Sequence, residues 1–286
     1  VVLTLGDGES MPLKRDTNRL IFGGTMLQVR NERGTLVYSK IKSKEASEKI
    51  VYNTLTVPVR ERFQLVLADG TKVFLNSGSE MRYPERFGKA RREVFLKGEA
   101  WFEVAKDSAR EFWVHAGAMD VKVLGTSFNV KAYERLETVA TTLVEGSVEV
   151  ACAGKSFQIV PGEQFVYDKN NRVMDVRMVD TESYVSWKDG YYKFRQTTLE
   201  EIMETLSVWY GLNVFYVNES AKQVEFTGKV KRYEDARMLL DKFEQTGDVV
   251  FDIKGNNVFI TIKQKKPFAR EWNSFLVKAR GMVWQS

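Results

Sequence analysis

The chain has 286 residues, 43% hydrophobic and 28% charged, with 18 Phe, 11 Tyr and 6 Trp. These proportions are those of a soluble globular protein and exclude a wholly disordered chain. The formal net charge of +5 is concentrated in residues 263–286, where Lys263, Lys265, Lys266, Arg270, Lys278 and Arg280 face Glu271 alone. Residues 1–262 are therefore balanced, and no nucleic-acid-binding surface is expected of them.

Cysteine and histidine usage closes off further chemistry. Cys152 is the single cysteine, so an internal disulfide and a cysteine zinc cluster are excluded. His115 is the single histidine, so a metal site with two histidines is excluded and a Ser-His-Asp triad could only run through it. The chain opens at Val1 without methionine, which reads as a fragment or a processed product. The longest apolar stretch, around 207–217, is about half of the ~20 residues a membrane helix needs.

From Val1 to about Val179 the hydrophobic pattern has period two, as in 121–123, 128–130, 148–150, 157–159 and 165–167. Alternation of this kind marks half-buried strands. Asp7-Gly8, Asp69-Gly70, Lys97-Gly98, Ala116-Gly117, Glu145-Gly146, Ala153-Gly154 and Pro161-Gly162 punctuate it as turns. No amphipathic helix of ten residues is expected before Thr181. A weak repeat relates 3–13 to 65–75, each a strand, an Asp-Gly turn and a strand; two copies are too few for a solenoid repeat. Sandwich, closed barrel and solenoid all remain open.

The pattern changes near Asp180. Thr198-Leu199-Glu200-Glu201 is a capping box at a helix start. Leu199, Ile202, Met203, Leu206 and Trp209 follow at helical spacing, and Gly211 stops the helix. Strands are expected at 192–194, 213–216, 224–229, 249–253 and 258–262, with a second helix from about Tyr233 to Glu244 that faces inward through Ala236, Leu239, Leu240 and Phe243. The expected fold is mostly β with a second α+β domain. Residues 1–182 form an all-β sandwich or solenoid-like domain, with 1–56 as its leading strands. Residues 187–262 form a small domain of two β-α-β-type units. Residues 263–286 are a basic tail of unknown role.

No catalytic constellation stands out. Glu99 and Glu103 share a strand face about 13 Å apart at ~3.3 Å per residue, beyond the roughly 5–9.5 Å of glycosidase carboxyl pairs, and read as solvated strand-face acids. His115 has neither a nucleophile nor an orienting partner in the sequence and reads as a packed or surface strand residue. No phosphate-binding glycine loop and no nucleophile elbow occur. No enzyme activity, metal or cofactor is expected. Trp187, Tyr191, Tyr192, Trp209 and Tyr210 read as core of the second domain rather than as an interface.

Several stretches together resemble the FecR family. They are 67–79 (Leu-Ala-Asp-Gly-Thr-Lys-Val-Phe-Leu-Asn-Ser-Gly-Ser), Arg82-Tyr83-Pro84, 94–104 (Val-Phe-Leu-Lys-Gly-Glu-Ala-Trp-Phe-Glu-Val), 121–130, 143–148 and Pro161-Gly162-Glu163-Gln164. Ser186-Trp187-Lys188-Asp189-Gly190 and Trp209-Tyr210-Gly211 look like the family's C-terminal domain in its gut-anaerobe branch, itself similar to the short N-terminal signalling domain of secretins and TonB-dependent transporters. The resemblance covers 57–168 and 187–262.

The resemblance implies the periplasmic region of a single-pass inner-membrane anti-sigma factor. A TonB-dependent outer-membrane transporter would present its signalling domain to this region. An extracytoplasmic-function sigma factor would be held only through a cytoplasmic segment that this chain lacks. The rival reading is an exported glycan-binding or adhesive β-domain protein, which would need exposed aromatic platforms beside amides or acids. A small sheet leaves open edges, so the expected contact surface is the strand Val224, Glu225, Phe226, Thr227, Gly228 and Lys229, with a proline at Phe226 as its test.

Overall fold

The computed structural model describes residues 1–14, 19–23, 27–32, 34–40, 50–232 and 235–263. The basic tail beyond Lys263, and Tyr233 at the expected start of the second helix, lie outside the described residues.

Strand pairing divides the β-rich part into two sheets that share one long strand. The first runs in the order Lys155–Ile159, Val148–Cys152, Met119–Val123, Phe112–Ala116, Arg92–Glu103, Glu80–Pro84, Tyr52–Thr56, Val2–Thr4, Ser10–Pro12. The second runs Arg19–Gly23, Leu27–Glu32, Thr35–Lys40, Phe63–Val66, Lys72–Leu75, Arg92–Glu103, Ser127–Ala132, Thr138–Glu145, Glu163–Asp168, Val173–Met178. Most pairs are antiparallel. Arg92–Glu103 beside Phe112–Ala116, and Thr35–Lys40 beside Phe63–Val66, are parallel. The strands of residues 1–56 thus join the same two sheets as the later ones.

The shared strand changes sheet at Gly98, whose φ is +106°. A Cβ there would lie 2.7 Å from Ser79 Cα, so only glycine fits both the backbone angle and the close approach. One apolar core fills the space between the sheets, with Leu65, Tyr83, Phe102, Phe112, Phe128 and Phe165 fully enclosed. The alternation in the sequence is the inner and outer face of these strands, as at Phe112–Ala116 and Met119–Val123. Of the three architectures left open above, the pairing gives the sandwich, with its two sheets joined along one strand.

Both copies of the short repeat are hairpins with the same turn. Leu5 N donates to Glu9 O and Leu67 N to Thr71 O, while Asp7 and Asp69 each accept from the amide two residues on. They lie in different sheets, and only Asp69 meets a cation. Arg92, fully buried, gives Nη1 to Asp69 Oδ2 and Ala105 O (both 2.8 Å) and Nη2 to Arg110 O (3.0 Å).

The C-terminal part follows two interleaved units. Tyr191–Thr198, helix Leu199–Tyr210 and Asn213–Tyr216 make the first; Glu225–Lys231, helix Ala236–Glu244, Val249–Lys254 and Asn257–Ile262 make the second. The opening strands of the two units pair antiparallel. The closing strands form a three-stranded sheet, ordered Asn213–Tyr216, Asn257–Ile262, Val249–Lys254. Thr198 caps its helix by accepting from Glu201 N, but the reciprocal half of the expected capping box is replaced: the Glu201 carboxylate faces Arg177, 3.7 Å away. Asp235 caps the second helix, and Ala236, Leu239, Leu240 and Phe243 are its buried face, as its spacing requires.

Candidate partner-binding surface

The C-terminal part docks on the second sheet through a polar seam built around a carboxylate. Glu99 lies just past the bend at Gly98 and is 8% exposed. Asn76 Nδ2 donates to its Oε2 (2.7 Å) and Asn129 Nδ2 to its Oε1 (2.9 Å). Each asparagine then uses its own carbonyl oxygen to accept from the C-terminal part: Asn129 from Trp187 Nε1 (3.2 Å), Asn76 from Arg232 Nη2 (3.2 Å). Arg232 also donates to Trp187 O (2.8 Å), and its guanidinium lies over the Trp209 ring. Burial holds that guanidinium below the usual arginine range.

The helix end is fixed to the same place. Trp209 O accepts from Arg60 N (3.1 Å) and Ser77 Oγ (3.2 Å), and Val208 packs with Tyr133 and Leu136. Trp101 leaves the sandwich core and joins the core of the C-terminal part. A cavity of about 270 Å³ remains beside the seam, bordered by Glu99, Lys131, Gln164, Tyr184, Tyr192 and Glu204. Burial raises the Glu204 carboxyl above the usual range, opposed by Lys131 at 3.7 Å.

These facts correct two expectations. Glu99 is not a solvated acid, because the C-terminal part covers its sheet face; Glu103, on the same strand, does stay accessible beside Lys72 at 3.7 Å. Trp209 is half-buried at the seam rather than core, while Tyr210 is core on the Leu199, Ile202, Met203, Leu206 face as expected; Val208, on the opposite side of the helix, is buried against Tyr133 and Leu136, because the helix packs on both parts. Trp187 and Tyr192 are buried as expected, with Trp187 joining core to seam. His115 is a strand residue, bonded to Asp120 (2.7 Å) and stacked on Phe95 at 4.9 Å. The row Tyr52, Phe95, His115, Trp113 is half-buried, and Arg82, Glu93 and Lys122 already engage it or one another, so it offers no open aromatic platform. Among the described residues no group of three or more His, Cys, Asp or Glu is placed to hold a metal ion, and no helix is long and apolar enough to cross a membrane.

The strand expected at 224–229 to receive a partner runs over Glu225–Lys231 and is paired on one side only, with Tyr191–Thr198. The bond from Leu199 N to Val224 O sets the phase of this ladder. Phe226, opposite Thr197, therefore points its amide at its neighbour, and Glu225 and Thr227 point theirs at the open edge. Proline at Phe226 would break the existing pair; Thr227 is the position that probes the edge. The asparagines and Arg232 of the seam were not singled out from the sequence. Asn76-Ser77-Gly78-Ser79 has the composition of a turn, and nothing in period-two patterning distinguishes an outward polar side chain that meets solvent from one that meets another domain.

Comparison with known proteins agrees with this architecture. Residues 53–149 match the family model described as FecR protein, and residues 191–260 match the one described as FecR, C-terminal. Two solved structures of a candidate anti-sigma factor from Parabacteroides distasonis ATCC 8503 share the fold. One is 28% identical with a TM-score of 0.66 and covers 73% of this chain and 98% of that chain. The other is 27% identical with a TM-score of 0.66 and covers 74% and 99%. No curated protein matches. With the two FecR modules present in order, and their joint fold shared over nearly the whole of that relative, the chain belongs to the FecR family.

Proposed function

We propose that this chain is the periplasmic sensing region of an anti-sigma factor anchored in the inner membrane. Its C-terminal part receives the signalling domain of a TonB-dependent outer-membrane transporter. The signal then reaches an extracytoplasmic-function sigma factor through a cytoplasmic segment of the parent protein. The observation that carries this reading is the FecR module followed by the FecR C-terminal module, in a fold shared with a candidate anti-sigma factor along almost its full length. The structure supports a role in contact: a small α/β unit with open strand edges, Glu225–Lys231 among them, is held on a large sandwich by the Glu99 seam. Strand addition at such an edge uses backbone amides and carbonyls for affinity.

The test is a calorimetric titration of the full chain with the isolated N-terminal signalling domain of the transporter encoded beside it. Binding at about micromolar strength, near −8 kcal/mol, is the expected result. No heat with either that domain or its substrate-loaded transporter would remove the transporter from the reading.

A further inference from the structure

Pairing among the described residues leaves the C-terminal part four outer strand edges, and they are not equivalent. That of Tyr191–Thr198 is broken by a bulge between Phe194 and Thr197 and bears Lys193 and Arg195, both paired with Asp180. Glu225–Lys231 sends Glu225, Thr227, Lys229 and Lys231 to solvent and carries Gly228 in its middle. Lysine on an edge is a common device against pairing, and glycine weakens a strand. Val249–Lys254 has its central edge amide occupied, because Phe251 N donates to the Glu244 carboxylate.

Asn213–Tyr216 has none of these protections. Asn213 N donates to Asn256 O and Val217 N to Ile260 O, both toward the neighbouring strand. In a parallel ladder the intervening residues point the other way, so Val214 and Tyr216 present their N–H and C=O groups at the free edge. The solvent face beside that edge is apolar. Phe215 is 47% exposed and Val217 62%, and Phe215 stacks on Phe259 of the next strand at 5.1 Å. The inner side is acidic: Glu200, Glu204 and Glu219 surround Tyr216, and these carboxylates, after burial, push its hydroxyl up. Lys222, which bonds Glu219 at 2.8 Å and lies 3.4 Å from Glu200, offsets part of that charge.

The geometry points to Asn213–Tyr216 as the edge that receives the partner, by adding one strand whose apolar side chains continue the Phe215 face and whose alternate side chains include a lysine or arginine for the Glu200–Glu219 side. This rests on the transporter reading above, and the occupant is an extended segment of that signalling domain. The hydrogen-bonding groups of Val214 and Tyr216 require an extended backbone, the exposed Phe215 and Val217 require apolar neighbours, and the carboxylates require a cation.

The test is the same titration with variants of the full chain. Val214→Pro removes an outward amide and is expected to weaken binding by about tenfold or more, roughly 1.4 kcal/mol. Phe215→Asp, on a side chain already half exposed, is expected to do the same while the chain stays folded, with only the small loss of stability that the Phe259 stack accounts for. Thr227→Pro, on the lysine-bearing edge, is expected to stay within about twofold of the parent. Full binding by folded Val214→Pro and Phe215→Asp, with loss in Thr227→Pro, would overturn the assignment while leaving the transporter reading intact. Absence of binding by the parent chain would overturn both.

Discussion

Arg232, from the C-terminal part, reaches across the seam to the sandwich at Asn76. Its guanidinium makes a charged hydrogen bond to Trp187 O at 2.8 Å, holds Asn76 Oδ1 at 3.2 Å and covers the Trp209 ring. Trp187 and Trp209 belong to the same part as Arg232, so only the bond to Asn76 crosses the seam, and a charged hydrogen bond contributes ~1.5–3 kcal/mol. At 3.2 Å that bond is a long one, so we expect Arg232→Ala to cost about 1.5 kcal/mol of docking, roughly tenfold in the equilibrium, and to loosen the C-terminal part itself through the lost Trp187 and Trp209 contacts. Arg232→Lys keeps the charge but not the planar fork and should recover less than half of it. Two assays read the effect: the rate of proteolysis in the connecting segment around 179–190, which should rise, and the urea midpoint, which should fall. Digestion and unfolding indistinguishable from the parent would show that the other seam contacts, the Trp187–Asn129 bond and the packing around Trp101 and Val208 among them, hold the parts together without Arg232.

Other outcomes follow from single sites. Arg92→Ala leaves the Asp69 carboxylate buried without its cation and should cost ~3–5 kcal/mol, while Arg92→Met with Asp69→Asn should cost clearly less; urea denaturation of the single and double variants compares them. Gly98→Ala forces a Cβ to 2.7 Å from Ser79 Cα at a φ of +106°, so a loss of roughly 1–3 kcal/mol is expected, and an unchanged melting temperature would mean that the bend does not constrain the two sheets. Glu204 has its carboxyl raised above the ordinary range by burial. The folded chain then binds more protons than the unfolded one between the unfolded and folded values, so this group's contribution to stability falls as pH rises through that window. Glu204→Gln should therefore gain stability relative to the parent at pH 7, with the gain shrinking in acid as both states of the parent become protonated; a gain independent of pH would contradict this.

Much of this was legible in the residues because local chemistry and tertiary role coincide. Period-two strands in the first 179 residues, the Asp-Gly turns and the Ala236, Leu239, Leu240, Phe243 face all depend on short-range spacing that the fold respects. Sandwich and solenoid could not be separated, since the decision lies in one strand, Arg92–Glu103, that pairs in both sheets. The seam was hidden for a related reason. Glu99 alternates like any surface acid, and only the docked C-terminal part turns it into a buried acceptor. The open edges were foreseen as a necessity of a small sheet, but ranking them needs the ladder phase at Asn213 and Leu199, which spacing does not carry.

The most direct measurement is hydrogen exchange of the full chain, alone and with the transporter's N-terminal signalling domain at saturation. The account expects new protection within residues 191–262, strongest at the amides of Val214 and Tyr216, with the sandwich strands unchanged. Protection confined to the sandwich, for example along Lys155–Ile159 or Val173–Met178, would contradict it by placing the receiving surface on the wrong part of the molecule.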